Sequence, residues 1–163
     1  MPLTYNADEI FEIAQQIERN GARFYRKAAD ALKQPDQAKL LRELASMEDD
    51  HLRTFTEMRN QLTDRDRQSI VSDPDDEAAL YLQAVADGKI FDVRKDPSQA
   101  LTGKESLRDI LLMAIDIEKE SIVFYIGIRE RVPENLGQDK MAKIIREELS
   151  HVTRLSADLA DIK

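Results

Sequence analysis

The stretches "IERNGARFYRK" (residues 17–27) and "IEKESIVFYIG" (residues 117–127) carry Ile-Glu and Phe-Tyr at the same spacing, one hundred positions apart. The same offset relates "MEDDH" (residues 47–51) to "EELSH" (residues 147–151). Glu48 and His51 therefore correspond to Glu148 and His151. A shared offset at two separate motifs indicates an internal duplication, and we expect a fold made of two similar halves.

Apolar residues recur around these motifs at a spacing of three and four, which is typical of amphipathic helices. Asn6 with Glu9, and Thr102 with Glu105, have the spacing of a capping box and mark two helix starts. The pattern predicts four long helices, over about 7–32, 36–62, 104–131 and 138–161. Short loops inside each half predict two antiparallel hairpins, so we expect an all-α four-helix bundle, with residues 1–163 forming a single domain.

The two predicted hairpins are joined by a long crossover over about residues 63–101. It contains "SDPDDEAALYLQAVADGKIF" (residues 72–91), in which we expect one short helix. A helix of about 26 residues is about 39 Å long, so a connection that runs the length of the bundle needs a segment of this size. A hinge that exchanges one hairpin between two chains is the alternative.

Composition excludes several classes of function. The chain has no cysteine, which rules out disulfides, zinc-thiolate sites and cysteine-ligated iron within it. Its net charge of -8 argues against nucleic acid and anionic membranes as partners. No targeting segment or run of roughly 20 apolar residues is present, so we expect a cytoplasmic protein.

Four glutamates lie at similar distances from the turns of the two hairpins. Glu18 is 17 positions before Pro35 and Glu48 is 13 after it. Glu118 is 15 positions before Pro133 and Glu148 is 15 after it. In antiparallel helices these distances place the four carboxylates at nearly one depth of the bundle.

The two histidines of the chain each follow a glutamate by three positions, so each pair shares one helix face. Four buried carboxylates repel one another unless cations compensate them. Two divalent ions would balance four glutamates, with neutral imidazoles completing a di-iron bundle pattern in which manganese is also suitable. The alternatives are exposed Glu-His pairs and a metal-free helical interaction module. The predicted metal ligands are Glu18, Glu48, His51, Glu118, Glu148 and His151.

On these residues, and on "YLQAVADGKIF" (residues 81–91) in the crossover, the sequence resembles the rubrerythrin branch of the ferritin-like di-iron carboxylate superfamily. The resemblance implies a ferritin-like bundle, the same six ligands, two iron ions and a homodimer. Typical rubrerythrins also carry a rubredoxin-like tail with four cysteines, and this chain has none. They have an additional glutamate one turn after the third-helix ligand, where this chain has Ser121.

Residues near the predicted ligands allow two interpretations. Tyr25 and Tyr125 lie two turns beyond Glu18 and Glu118, where a phenol can hydrogen-bond a ligand carboxylate or relay an electron; ordinary buried tyrosines are the alternative. Gly21 and Ser121 leave room either for a small oxidant or for close helix packing.

Two further glutamates, Glu120 and Glu147, neighbour the predicted ligands in sequence. Adjacent positions of a helix point apart, so we expect both side chains at the solvent-exposed surface.

These features favour a non-haem di-iron protein that reduces peroxide or dioxygen while Fe(II) is oxidised, as a peroxidase or ferroxidase does. Returning the iron to Fe(II) requires an external electron-donor protein. The alternative is a protein that binds iron or another metal for storage or delivery without catalytic turnover.

Overall fold

The computed structural model describes residues 6–68, 77–86, 92–129, 132 and 134–162. Its long elements are helices, as the all-α prediction required. The helices are α1 (Ala7–Ala31), α2 (Pro35–Asn60), α3 (Asp64–Gln68), α4 (Glu77–Ala86), α5 (Leu107–Arg129) and α6 (Gln138–Ala160), with 3-10 turns at Pro97–Ala100 and Glu134–Leu136.

The start of α1 is fixed by reciprocal capping. The backbone N–H of Glu9 donates to Asn6 Oδ1 over 3.0 Å, and the backbone N–H of Asn6 donates to Glu9 Oε2 over 2.9 Å. This is the capping box expected from the sequence. Helix α2 instead begins with Pro35, whose missing N–H costs nothing at a first helical position.

The start predicted for the third long helix is wrong by one turn. Glu105 accepts from the backbone N–H groups of Thr102 and Gly103, but these bonds close a separate turn in which Gly103 has a φ of +83°. A residue in this left-handed region cannot belong to an α-helix. Ser106 and Asp109 form the reciprocal cap, and α5 begins at Leu107.

The crossover contains more regular structure than the single short helix predicted. Its described residues form α3, α4 and the turn at Pro97–Ala100, while residues 69–76 and 87–91 lie outside the description. The segment is held against the bundle by polar contacts: Asn20 donates to Val93 O over 2.9 Å, and Lys27 donates to Ser98 O over 2.8 Å. Pro133, in the second hairpin's turn, also falls outside the described residues.

Two apolar clusters fill the two ends of the bundle. One contains Phe11, Phe55, Phe124 and Met141, and the other contains Phe24 with neighbouring leucines and alanines. On each of the four long helices, the predicted metal-ligand positions fall between residues of the two clusters. The bundle therefore has one polar layer enclosed by two apolar ones, and burial of the apolar side chains is the main force that holds that layer in place.

In the part of the chain that the structure describes, each long helix carries too many polar residues to qualify as a membrane span.

Candidate metal centre

The structure brings the six predicted ligands together in the polar layer. Each of α1 and α5 supplies one glutamate, and each of α2 and α6 supplies a glutamate and a histidine. None of the six residues is more than 3% exposed. They are Glu18, Glu48, His51, Glu118, Glu148 and His151.

Their donor atoms form two overlapping groups, within each of which all atoms lie within 4.8 Å of one another. We call these groups the His51 position and the His151 position. The His51 position adds Glu18, and the His151 position adds Glu118, to the two glutamates that both groups contain. Glu48 and Glu148 are thus shared, as bridging carboxylates would be.

The imidazoles approach the carboxylates through Nδ1. His51 Nδ1 lies 3.1 Å from Glu148 Oε1 and 3.4 Å from Glu18 Oε2. His151 Nδ1 lies 2.9 Å from Glu148 Oε2 and 3.2 Å from Glu118 Oε1. The rings stack with centroids 5.8 Å apart and an interplanar angle of 19°. Glu148 therefore lies between the histidines and contacts both.

The carboxylates are crowded in a medium that solvates charge poorly. Burial and the charge of Glu148 raise the pKa of Glu118 to about 8. The same two causes raise the pKa of Glu18. Burial, with the charges of Glu18 and Glu118, raises the pKa of Glu48 well above its usual range. A nearby cation would favour the ionised form of each group.

In the metal-free protein the two histidines supply that positive charge. Burial alone would lower the pKa of His51, but its contacts with Glu148 and Glu18 raise it to about 12. Burial acts in the same way on His151, and Glu118 and Glu148 raise its pKa to about 12. No lysine or arginine among the described residues is buried, so the layer depends on the imidazoles or on bound cations for neutrality.

The donor set fits a pair of divalent metal ions. Six buried donor atoms of the ligand residues make no hydrogen bond in the described structure, and the four oxygens among them have only an ion-pair contact with a histidine. They are Glu18 Oε2, Glu48 Oε1, Glu148 Oε1 and Oε2, His51 Nδ1 and His151 Nε2. A buried polar atom without a partner costs about 1–3 kcal/mol, so such a group calls for a ligand. Carboxylate oxygens and imidazole nitrogens suit iron and manganese, and two divalent ions balance four carboxylates.

Two tyrosines hold carboxylates across the bundle. Tyr25 on α1 donates its phenolic hydrogen to Glu118 Oε1 on α5, and Tyr125 on α5 donates to Glu18 Oε1 on α1. Burial and the facing carboxylates raise the pKa of both phenols well above 10. Seven residues correspond to about 10 Å along one helix, so each phenol reaches the opposite helix and not the glutamate on its own.

The surface position expected for Glu120 is confirmed, whereas that expected for Glu147 holds only in part. Glu120 is exposed. Glu147 has a side chain only 32% exposed, and its Oε2 lies 2.9 Å from His51 Nε2. The prediction considered one helix alone. A residue that points away from its own neighbour, Glu148, can still reach a ring on the facing helix α2.

The space beside Gly21 is occupied by a predicted ligand. A Cβ atom at residue 21 would lie 3.0 Å from Glu48 Oε2 and 3.3 Å from Glu48 Cδ. The glycine makes room for the shared carboxylate of Glu48, which neither of the two expected explanations, space for an oxidant or close helix packing, had named. Ser121, at the equivalent position, donates its hydroxyl hydrogen to Ile117 O over 3.1 Å.

Two cavities flank the layer. A cavity of about 320 Å³ between α2 and α6 is lined by His51, Glu147, Asp50, Glu57 and two lysines, among others. A second, of about 260 Å³, lies between α1, α5 and the segment around Val93, and Ser121 forms part of its wall. The first cavity places open space directly beside one of the two histidines.

Comparisons with known proteins identify the family and the fold. The rubrerythrin family model matches residues 9–159. A crystal structure from Thermotoga maritima, described as that of a ferritin-like diiron-carboxylate protein, superposes with a TM-score of 0.73. It is 23% identical in sequence, and the match covers 98% of each chain. A search of curated proteins gives no significant match.

Proposed function

The chain belongs to the rubrerythrin family, and from this premise we propose that it is a non-haem di-iron protein that reduces peroxide or dioxygen while Fe(II) is oxidised. One observation carries the proposal: the buried layer of four glutamates and two histidines, whose donor atoms converge in two overlapping groups. Burying four carboxylates in one layer without cations costs free energy, because they repel one another and lose hydration. The carboxylate and imidazole donors also suit iron.

Each iron ion would have one histidine and one glutamate of its own, and both would share two further glutamates. When bound, two ferrous ions supply one electron each, and two electrons with two protons reduce one hydrogen peroxide to two waters. Manganese suits the same donors. The residues that would hold the pair are Glu18, His51, Glu118, His151 and the shared Glu48 and Glu148.

The protein's own residues would orient and protect this centre. Tyr25 and Tyr125 keep their protons at neutral pH because their pKa values are raised, and each phenol restrains one oxygen of a ligand carboxylate. On Glu18 this leaves Oε2, which has no hydrogen-bond partner, available to bind metal. The apolar clusters above and below exclude water, and the cavity beside His51 provides space for a small oxidant to approach.

Repeated turnover would need electrons from another protein. The chain has no cysteine and hence no thiolate ligand for an iron-sulfur or rubredoxin-type relay. We propose a separate redox protein as electron donor. Independently of the electron donor, we also propose that the di-iron protein acts as a homodimer in the cytoplasm.

The test begins with metal stoichiometry. Protein loaded anaerobically with Fe(II) and freed of excess metal should retain about two ions per chain, because two groups of donors are present. Glu148→Ala should retain none tightly, since Glu148 belongs to both groups. The matched control, Glu120→Ala, removes an exposed glutamate on α5 and should retain both ions. A wild-type protein that binds neither iron nor manganese would refute the proposal.

Activity is tested on the loaded protein by stopped-flow mixing with peroxide or with dioxygen. Repeated consumption of oxidant in the presence of a reductant supports catalytic turnover. A single stoichiometric oxidation followed by arrest would instead assign the protein to metal storage or delivery, with the same ligands.

A further inference from the structure

The two histidines of the centre differ in their hydrogen bonds. His51 pairs through Nε2 with Glu147 over 2.9 Å, and its Nδ1 faces Glu148 at 3.1 Å and Glu18 at 3.4 Å. His151 turns Nδ1 towards the carboxylates in the same way, at 2.9 Å from Glu148 and 3.2 Å from Glu118. Its buried Nε2, however, has no partner in the part of the chain that the structure describes.

The difference originates at one position of the duplicated sequence. The offset of one hundred residues makes Met47 the counterpart of Glu147. A carboxylate is a strong acceptor for an imidazole N–H, whereas a thioether is a weak one. The half of the centre that contains His151 therefore lacks the acceptor that Glu147 provides to His51.

This asymmetry matters when a metal binds, because the ring nitrogen that binds the ion carries no hydrogen and the other nitrogen carries it. If His51 binds through Nδ1, its Nε2–H already has Glu147 as acceptor. Such outer carboxylates orient a ligating imidazole and make it more basic. If His151 binds through Nδ1, its buried Nε2–H remains without an acceptor.

The His51 position is also easier to reach from solvent than the His151 position. The cavity of about 320 Å³ between α2 and α6 is lined by both His51 and Glu147, and the Glu147 side chain is 32% exposed. His151 has no exposed surface. An ion arriving through this cavity meets the His51 position before it meets the His151 position.

We propose that Glu147 is a positioning residue that makes the two metal positions unequal, so that the His51 position fills first and holds its ion more tightly. The inference rests on the proposed function, since it requires that these six residues bind two ions. The proposed function alone does not determine the order in which the two ions bind or their relative affinities.

The experiment adds Co(II) stepwise to metal-free protein under anaerobic conditions and follows visible absorption and calorimetry. The wild type should bind two ions in two resolved steps. Glu147→Met, which copies the residue of the other half, should weaken the first step about 10- to 100-fold, which is the usual effect of losing such a partner. Glu147→Gln keeps an amide oxygen as acceptor and should fall between the two. Glu120→Met, the exposed control on α5, should leave both steps unchanged.

A second pair of variants identifies which position fills first without altering Glu147. His151→Ala should keep the tighter step and lose the weaker one, and His51→Ala should do the opposite. Circular dichroism of each metal-free variant checks that the helices remain. If Glu147→Met leaves the two steps unchanged, or if His151→Ala loses the tighter step, the inference is wrong.

The outcomes also separate this inference from the proposed function. Two Co(II) ions bound by the wild type with equal affinity would overturn the unequal positions and leave the di-iron proposal intact. No bound metal in the wild type would overturn both.

Discussion

The hairpin α1–α2 and the hairpin α5–α6 contribute the same ligand types to the centre, two glutamates and one histidine each, but they surround those ligands differently. Gly21 gives the Glu48 carboxylate room to approach α1, whereas its counterpart Ser121 bonds to its own helix. Glu147 bonds to His51, whereas its counterpart is Met47. The ligand set has kept the symmetry of the duplication, and the residues next to it have lost that symmetry. Any difference between the two metal positions should therefore come from the neighbouring residues and not from the ligands.

The largest expected effect comes from removing a glutamate that belongs to only one of the two metal positions. Glu18 belongs only to the His51 position and Glu118 only to the His151 position. Glu18→Ala and Glu118→Ala should each lose one of the two tightly held ions, and the ion that remains should be bound more tightly in Glu118→Ala. Iron content after anaerobic loading and gel filtration measures the loss. Equal residual affinities in the two variants would mean that the neighbours do not distinguish the halves.

The next prediction concerns pH, to which both halves should respond alike. The folded metal-free protein keeps a proton on Glu118 up to a pKa of about 8, whereas an unfolded glutamate releases it near 4.5. The contribution of Glu118 to the free energy of unfolding is therefore fully present below pH 4.5 and is lost as the pH rises through 8. The pKa of both histidines is raised from 6.5 to about 12, so their contribution is complete below 6.5 and is lost as the pH rises towards 12.

The free energy of unfolding of the metal-free protein should therefore fall by about 2 kcal/mol or more between pH 6 and pH 8, since one extra proton in the folded state is worth about 1.4 kcal/mol per pH unit. The metal-loaded protein should show the opposite trend, because ions bind deprotonated ligands. Urea unfolding at several pH values, with and without metal, measures both. A metal-free protein that gains stability over this range would contradict the proton uptake inferred for the layer.

Spacing alone allowed much of this centre to be predicted. The six residues in the polar layer are those selected by the hundred-residue offset and the Glu-x-x-His pairs, because a helix face is determined by position along one chain segment. The role of Glu147 could not be found in this way, since it depends on which side chain of α6 reaches the ring on α2. The start of α5 was misplaced because Thr102–Glu105 and Ser106–Asp109 have the same spacing, and only the left-handed backbone of Gly103 separates them.

A smaller effect is expected from the tyrosines, of which each hairpin supplies one to a ligand glutamate of the other hairpin. Tyr25→Phe removes the hydrogen bond to Glu118, and Tyr125→Phe removes the one to Glu18. Hydrogen bonds to charged groups contribute about 1.5–3 kcal/mol, so each variant should weaken the metal position on the facing hairpin by about tenfold or more. Stepwise Co(II) binding assigns each loss: Tyr25→Phe should affect the weaker step and Tyr125→Phe the tighter one. The reverse assignment would show that the tyrosines act through their own helices.

The smallest expected effect tests the difference between Gly21 and Ser121. In Gly21→Ala the new Cβ lies 3.0 Å from Glu48 Oε2, and the flexible end of Glu48 can move away by a few tenths of an ångström when no metal is bound. Alanine also favours a helix over glycine by about 1 kcal/mol, so the metal-free protein should unfold at the same or a higher temperature. With metal the carboxylate is held in place, and the contact should weaken binding at both positions by a few-fold because Glu48 is shared.

Ser121→Ala, which removes only a hydroxyl bonded within α5, should leave metal affinity unchanged. A Gly21→Ala protein that is more stable without metal and unchanged in affinity would show that Glu48 adapts without cost, and this glycine would then not distinguish the halves.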